Sequence, residues 1–215
     1  MSKKRLFNNI YLNNRCHKGF SLVELIIVIA IMAILASVVT PSIIRFIVKA
    51  RKADDIVAAE TLGTTFMAAI SEDEEMYEYV TTMAGDLPRG RDYKVIASCN
   101  PTGRYYQKFK LVGLNYRPTS IRHIDVNIFE EKFNSYLGAA DAPMKFTSQN
   151  YLDQWLIAVD KNCNVSVWAA GGFNSNDSWI QTDGRIFNNH GRAYMLWPTV
   201  DPEYNELSTP PKSYN

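Results

Sequence analysis

Few residues in this chain are spaced for chemistry. Its three histidines, His17, His123 and His190, have no metal-ligating neighbour three or four residues away. Cys99 and His123 could be drawn as a nucleophile and its base, but two scattered residues carry no such signal. Gly171-Gly172 lacks the following lysine and helix pattern of a phosphate-cradling loop. Asn174, Asn176 and Asp177 offer oxygen ligands at short spacing. Without the glycine and terminal glutamate of a dedicated calcium loop, they read as turn formers. The expectation is no catalytic residue, no metal and no cofactor. The residue that needs explaining is Glu24, the single charge between Phe20 and Ile44. A carboxylate at the centre of a bilayer costs on the order of 3 kcal/mol, and one turn from the end of such a run the cost is smaller but not zero. Its chemistry is ionic: meeting a cation, or facing the positive end of a helix.

The element that positions Glu24 is the apolar run itself. Residues 20–44 would make roughly 37 Å of helix, against roughly 30 Å of bilayer hydrocarbon, so the run can span a membrane with some tilt. It is too long for a secretory signal peptide, and an uncleaved anchor would leave Gly19 and Glu24 unexplained. The stretch KGFSLVELIIVIAIMAILASVVTP, from Lys18 to about Pro41, resembles the N-terminal segment of type IV prepilins and type II secretion pseudopilins. The resemblance implies that an aspartyl peptidase cuts after Gly19 and methylates the new N-terminal residue, Phe20. It also implies that Glu24 guides subunit docking and that Pro41 is the helix-interrupting proline. Beyond about Ile70 the resemblance ends.

The 215 residues are 47% apolar and 21% charged, with a formal net charge of +1. That total hides an asymmetry. Residues 1–19 hold Lys3, Lys4, Arg5, Arg15 and Lys18 and no acid. Without these five, 18 basic residues face 22 acidic ones, a balance near −4 that gives no reason to expect nucleic-acid binding. The leader cations favour a cytoplasmic N-terminus, and Arg45, Lys49, Arg51 and Lys52 oppose them from the other end. The long region after the run, with no second span, favours N-terminus in and C-terminus out. Residues 45–215 are enough for one domain with a real core. In an extracytoplasmic domain, Cys99 and Cys163 are expected to form a disulfide worth roughly 4 kcal/mol, the alternative being two buried thiols. Cys16 falls in the leader.

After Pro41, which should kink or locally unwind the helix, the apolar pattern becomes one-sided. Ile43, Ile47, Ala50, Val57, Ala58, Leu62, Phe66, Ala69 and Ile70 recur mostly at three- and four-residue steps, with Gly63 a softer point. Ser71 to Glu74 reads as a capping box, with Ser71 as N-cap of a short helix ending at Gly85. Strands are expected at 93–97, 105–112, 155–160 and 165–170, the last two joined by a tight turn at Asp160-Lys161-Asn162. Asp125 to Leu137, carrying Phe129, Phe133 and Tyr136, reads as a helix capped by Gly138. A final hairpin would pair 185–187 with 193–197, and the proline-bearing tail from about 198 reads as irregular.

The expected fold is α+β: a long N-terminal helix, membrane-spanning then amphipathic, packed on a mainly antiparallel β head. The expected divisions are a leader at 1–19, a span at 20–44, an amphipathic helix at 45–70 and a head at 71–215. The resemblance implies a structural subunit of a type IV pilus-like filament rather than an enzyme. Its partners would be further copies or other pilins, the prepilin peptidase, an inner-membrane assembly platform and, before assembly, membrane lipid. A pseudopilin of a secretion or DNA-uptake machine is the alternative, and a membrane-tethered binding protein a second.

Overall fold

The computed structural model describes residues 19–100, 108–112, 126–137, 152–171, 179–186 and 191–207. Residues 1–18 of the leader, with Cys16 and His17, and also His123, His190, Gly138, the 174–177 loop and the side chains of Phe129 and Leu137 lie outside the described residues. The chain divides into two compact units, residues 1–45 and 46–215. Helix α1, Leu22–Glu72, begins in the first and continues in the second.

In the first unit α1 is apolar on every side, and its large residues from Leu22 to Ile44 are exposed. It is long and apolar enough to cross a membrane. Helical geometry continues through Pro41, so the local unwinding expected there is not seen. Proline withholds the N–H that the Ser37 carbonyl would otherwise receive. In the preceding turn, the Ser37 hydroxyl donates to the Ile34 carbonyl (2.7 Å) and the Thr40 hydroxyl to the Ala36 carbonyl (2.6 Å).

The second unit is built on a six-stranded antiparallel sheet: β1 (Tyr93–Cys99), β2 (Lys110–Leu111), β3 (Gln154–Val159), β4 (Val165–Gly171), β5 (Trp179–Ile180) and β6 (Arg192–Trp197). The order is β2-β1-β3-β4-β6, with β5 also paired to β1. β3 and β4 form the expected hairpin, in register from Gln154↔Ala170 to Val159↔Val165. Asp160 organises its turn: one carboxylate oxygen accepts from the N–H groups of Asn162 and Asn164, both at 2.8 Å. Cys163 takes the positive φ of 62° that the turn requires.

Both faces of the sheet are buried, which is why its central strands are nearly continuous apolar runs. Alternate residues point to opposite faces. Trp155, Ile157 and Val159 of β3 join the larger core with Val167, Ala169, Tyr194 and Leu196. Leu156 and Ala158 join a second cluster with Trp168, Ala170, Ile180 and Ile186. The larger core also receives the helices: α1, α2 (Glu74–Gly85), α3 (Val126–Leu137) and α4 (Pro202–Glu206). Phe133 of α3 stands edge-on to Phe66 of α1, with ring centroids 5.1 Å apart.

Four expectations change. First, the buried face of α1 matches the apolar stripe read from the sequence only in its later part, at Leu62, Phe66 and Ala69. Its buried positions include Lys52, Asp55, Ala59, Leu62, Phe66 and Ala69, in alternating three- and four-residue steps, while Ile47 (42% exposed), Ala50 and Val57 (60%) face outward. The charges on this seam are tolerated because α4 supplies their partners. Second, the N-cap of α2 is Asp73, whose carboxylate accepts from the N–H groups of Glu75 and Met76 (3.0 and 3.3 Å). Ser71 stays inside α1, its hydroxyl donating back to the Ala68 carbonyl. Third, the tail is not irregular from 198. Asp201 caps α4 with Pro202 in its first turn, and Tyr204 is 0% exposed. Fourth, the final hairpin is reduced to the isolated bridge Arg185↔Arg192: its second arm forms as β6 but pairs with β4, and Ile186 bridges instead to Ile180 of β5, a strand the sequence did not announce. Of the strand expected at 105–112, β2 is what forms, and residues 105–107 lie outside the described residues.

Candidate assembly site at the start of α1

Gly19 and Phe20 precede the helix, and Phe20 is 82% exposed. Ser21 is the hinge between chain and helix. Its carbonyl accepts the first helical bond, from the Leu25 N–H (3.2 Å), and its hydroxyl oxygen accepts from the Val23 N–H (3.3 Å). Glu24 folds back, and its carboxylate accepts from the Ser21 N–H at 2.9 Å. Two donors that a helix start leaves unsatisfied are thereby met by Ser21 and Glu24 reciprocally. The signal was in the sequence as Ser21-Leu22-Val23-Glu24, the same S-x-x-E spacing that was read at residues 71–74, where it caps nothing.

This geometry tells what Glu24 can do. The exposed carboxylate lies at the positive end of α1, within four residues of Phe20. The backbone bond and the helix field offset part of the cost of a carboxylate in an apolar run. One carboxylate oxygen, Oε1, takes no described hydrogen bond, so the group retains the capacity to meet a cation.

The polar and charged side chains that are buried lie in the second unit. The hydroxyl of Tyr204 donates to the Asp55 carboxylate (3.1 Å), and Lys52 donates to the Asn205 carbonyl (2.8 Å). Burial holds the Lys52 ammonium below the usual lysine range and pushes the Tyr204 phenol up, the Asp55 charge adding to it. Lys132 of α3 pairs with Asp73 and Glu75. Burial would raise the Asp73 carboxyl, but the bond from Lys132 and the N–H groups of Met76 and Glu75 outweigh it and hold it below the ordinary range. No three His, Cys, Asp or Glu side chains converge as a metal set among the described residues.

Cys99 and Cys163 are not bonded to each other, contrary to the sequence expectation. Cys99 is paired with Trp155, whereas Cys163 lies beyond Val159 in the β3–β4 turn. Trp155 to Val159 alone is about 13 Å of strand. A disulfide needs Cα atoms within about 7 Å. Parity of cysteines says nothing of sheet register. Burial pushes the Cys99 thiol up to about 12.

Residues 14–40 match the family described as the prokaryotic N-terminal methylation motif. This is the prepilin signal of type IV pilins and pseudopilins. Over this segment the chain is similar to pilin and pseudopilin precursors, and the helix that carries it is long and apolar enough to cross a membrane. No solved structure matches the chain.

Proposed function

We propose that this chain is a structural subunit of a type IV pilus-like filament. The observation that carries the reading is a methylation motif whose one carboxylate, Glu24, stands exposed at the start of an apolar helix next to Phe20. The precursor sits in the cytoplasmic membrane with its N-terminus inside. A prepilin peptidase removes residues 1–19 and methylates Phe20, leaving a cationic amine. An assembly platform then draws the helix out of lipid among the helices of other subunits, on a filament at the cell surface. There the amine of one copy meets Glu24 of its neighbour, and Pro41 is where the helix bends to fit. A mispaired carboxylate in an apolar bundle costs several kcal/mol, so the pair marks register even though it stabilises weakly.

The reading is tested by Glu24→Gln and Glu24→Leu, scored as mature subunit in sheared filaments against mature subunit left in the membrane. Gln keeps the cap, since it too can accept from the Ser21 N–H, but it loses the charge. Both variants should insert and be cleaved, and neither should assemble. Normal filaments from Glu24→Leu would overturn the reading.

A further inference from the structure

Charge is segregated along α1 and into α2. Residues 45–52 hold four cations, Arg45, Lys49, Arg51 and Lys52, and no acid. From Ala53 to Pro88 there is no lysine or arginine, and there are nine acids. A helix stabilised by its own surface alternates signs at three- and four-residue spacing. Here Lys49 and Lys52, or Glu74 and Glu78, place like charges at those spacings instead.

Part of this charge is used within the fold: Lys52 and Asp55 by α4, Asp73 and Glu75 by Lys132, and Asp86 by Lys94. Of the rest, Asp54 and Glu60 lie along α1 between two ends that hold most of the remaining charge. Lys49 is exposed and Arg51 half-buried at one, and Glu72, Glu74 and Glu78 are exposed at the other. None of these five has an ion pair with another described residue. Lys49 and Glu72 are 23 residues apart on one helix, which is about 35 Å of rise. That exceeds a screening length of about 10 Å. The two ends cannot serve each other within one molecule.

We infer that they are the two halves of one contact between copies of this chain: Lys49 and Arg51 of one subunit face Glu72, Glu74 and Glu78 of another, displaced by about 35 Å along α1. The inference rests on the filament reading above. Copies that share one membrane through the same end run in the same direction, so in register they set like charge against like. Only an axial stagger brings opposite charges together. The stagger is close to the roughly 30 Å of bilayer hydrocarbon, so the contact forms once one copy has been lifted by about a membrane thickness. Because the two halves differ, the contact is heterologous and propagates instead of closing into a dimer.

The test uses the full chain in a Cys163→Ser background. Lys49→Cys with Glu72→Cys, treated with a short bis-maleimide, should give a ladder of cross-linked oligomers in sheared filaments and none in the membrane pool. Lys49→Glu with Arg51→Glu should cut filament yield by roughly tenfold or more, since like-charge contact at an interface costs at least that factor. Adding Glu72→Lys and Glu78→Lys to the same chain should restore it. Normal filaments from the reversed chain, with no ladder, overturn the charge contact and leave the filament reading standing. A loss without rescue overturns it in favour of anionic lipid headgroups at the basic end. Absence of filaments from the unaltered chain defeats the filament reading, and this inference with it.

Discussion

Gly63 sits inside α1, nine residues before its end at Glu72, where helix propensity alone says that alanine should stabilise by about 1 kcal/mol. Packing predicts the opposite. A Cβ built on Gly63 would lie 2.4, 2.5 and 2.9 Å from three ring carbons of Trp197 on β6. Ordinary carbon contacts are about 3.5–4.0 Å, so helix and indole must separate by about 1 Å. These atoms belong to the body of the indole, which cannot swing aside as a flexible chain end would. Overpacking of this kind costs about 1–3 kcal/mol. At a middle value of about 2 kcal/mol it exceeds the propensity gain, and Gly63→Ala should lose about 1 kcal/mol. The assay is urea unfolding of the full chain in detergent, followed by circular dichroism. The decisive control is Trp197→Leu: with the indole gone, Gly63→Ala should become stabilising, a coupling of about 2 kcal/mol. If Gly63→Ala stabilises with Trp197 in place, α1 does not approach β6 as described and the reasoning is wrong.

Tyr204→Phe removes the donor to the buried Asp55 carboxylate and should cost about 1–3 kcal/mol; an unchanged urea midpoint would show that Asp55 does not depend on it. Asp153 accepts from Asn100, yet its other carboxylate oxygen is buried without a partner among the described residues, and desolvation holds its carboxyl above the ordinary range despite that bond. A raised folded value means that its contribution is fully present below the ordinary carboxylate range and is lost as pH rises through the folded value. Asp153→Asn should therefore raise stability at neutral pH and flatten that decline, as read by melting temperature from pH 4 to 8. In the native chain Cys163 should react with a maleimide and Cys99 only after unfolding, because Cys99 is buried and Cys163 is not; a peptide map showing the two joined would refute the sheet register.

The parts of the fold legible in the sequence are those in which one segment carries its own signal. The apolar run, the α3 periodicity and the Asp160 turn each have that property, as does the Gly19–Glu24 constellation. The misread parts depend on distant partners. The inner seam of α1 looked wrong because Lys52 and Asp55 are acceptable there only with Tyr204 and Asn205 beside them. Ser71 and Asp73 are both good caps, and the choice fell to Asp73 because α1 continues to Glu72 and Lys132 reinforces the later carboxylate. Prolines near the end of the chain signalled irregular structure, yet Pro202 directly after Asp201 is also how a helix begins. At the start of α1 the acid is plain in the sequence and its cap is not. An S-x-x-E motif at the edge of an apolar run has two uses for its glutamate, as a cap and as a charge, and spacing alone does not separate them.

The bond from Tyr204 to Asp55 joins residues 149 positions apart, and this sets an order of events during synthesis. A ribosome adding about 5–20 residues per second needs roughly 8–30 s to travel that far. Throughout that interval the N-terminal helix already exists and can already be lodged in the bilayer. Two charged side chains then stand on its future inner face, and the residues that will cover them have not been made. The head closes from its far end, so an interrupted translation product would carry the whole membrane segment and none of its final seal. Such a product would reach the membrane as readily as the finished protein, with the sheet side of α1 still bare.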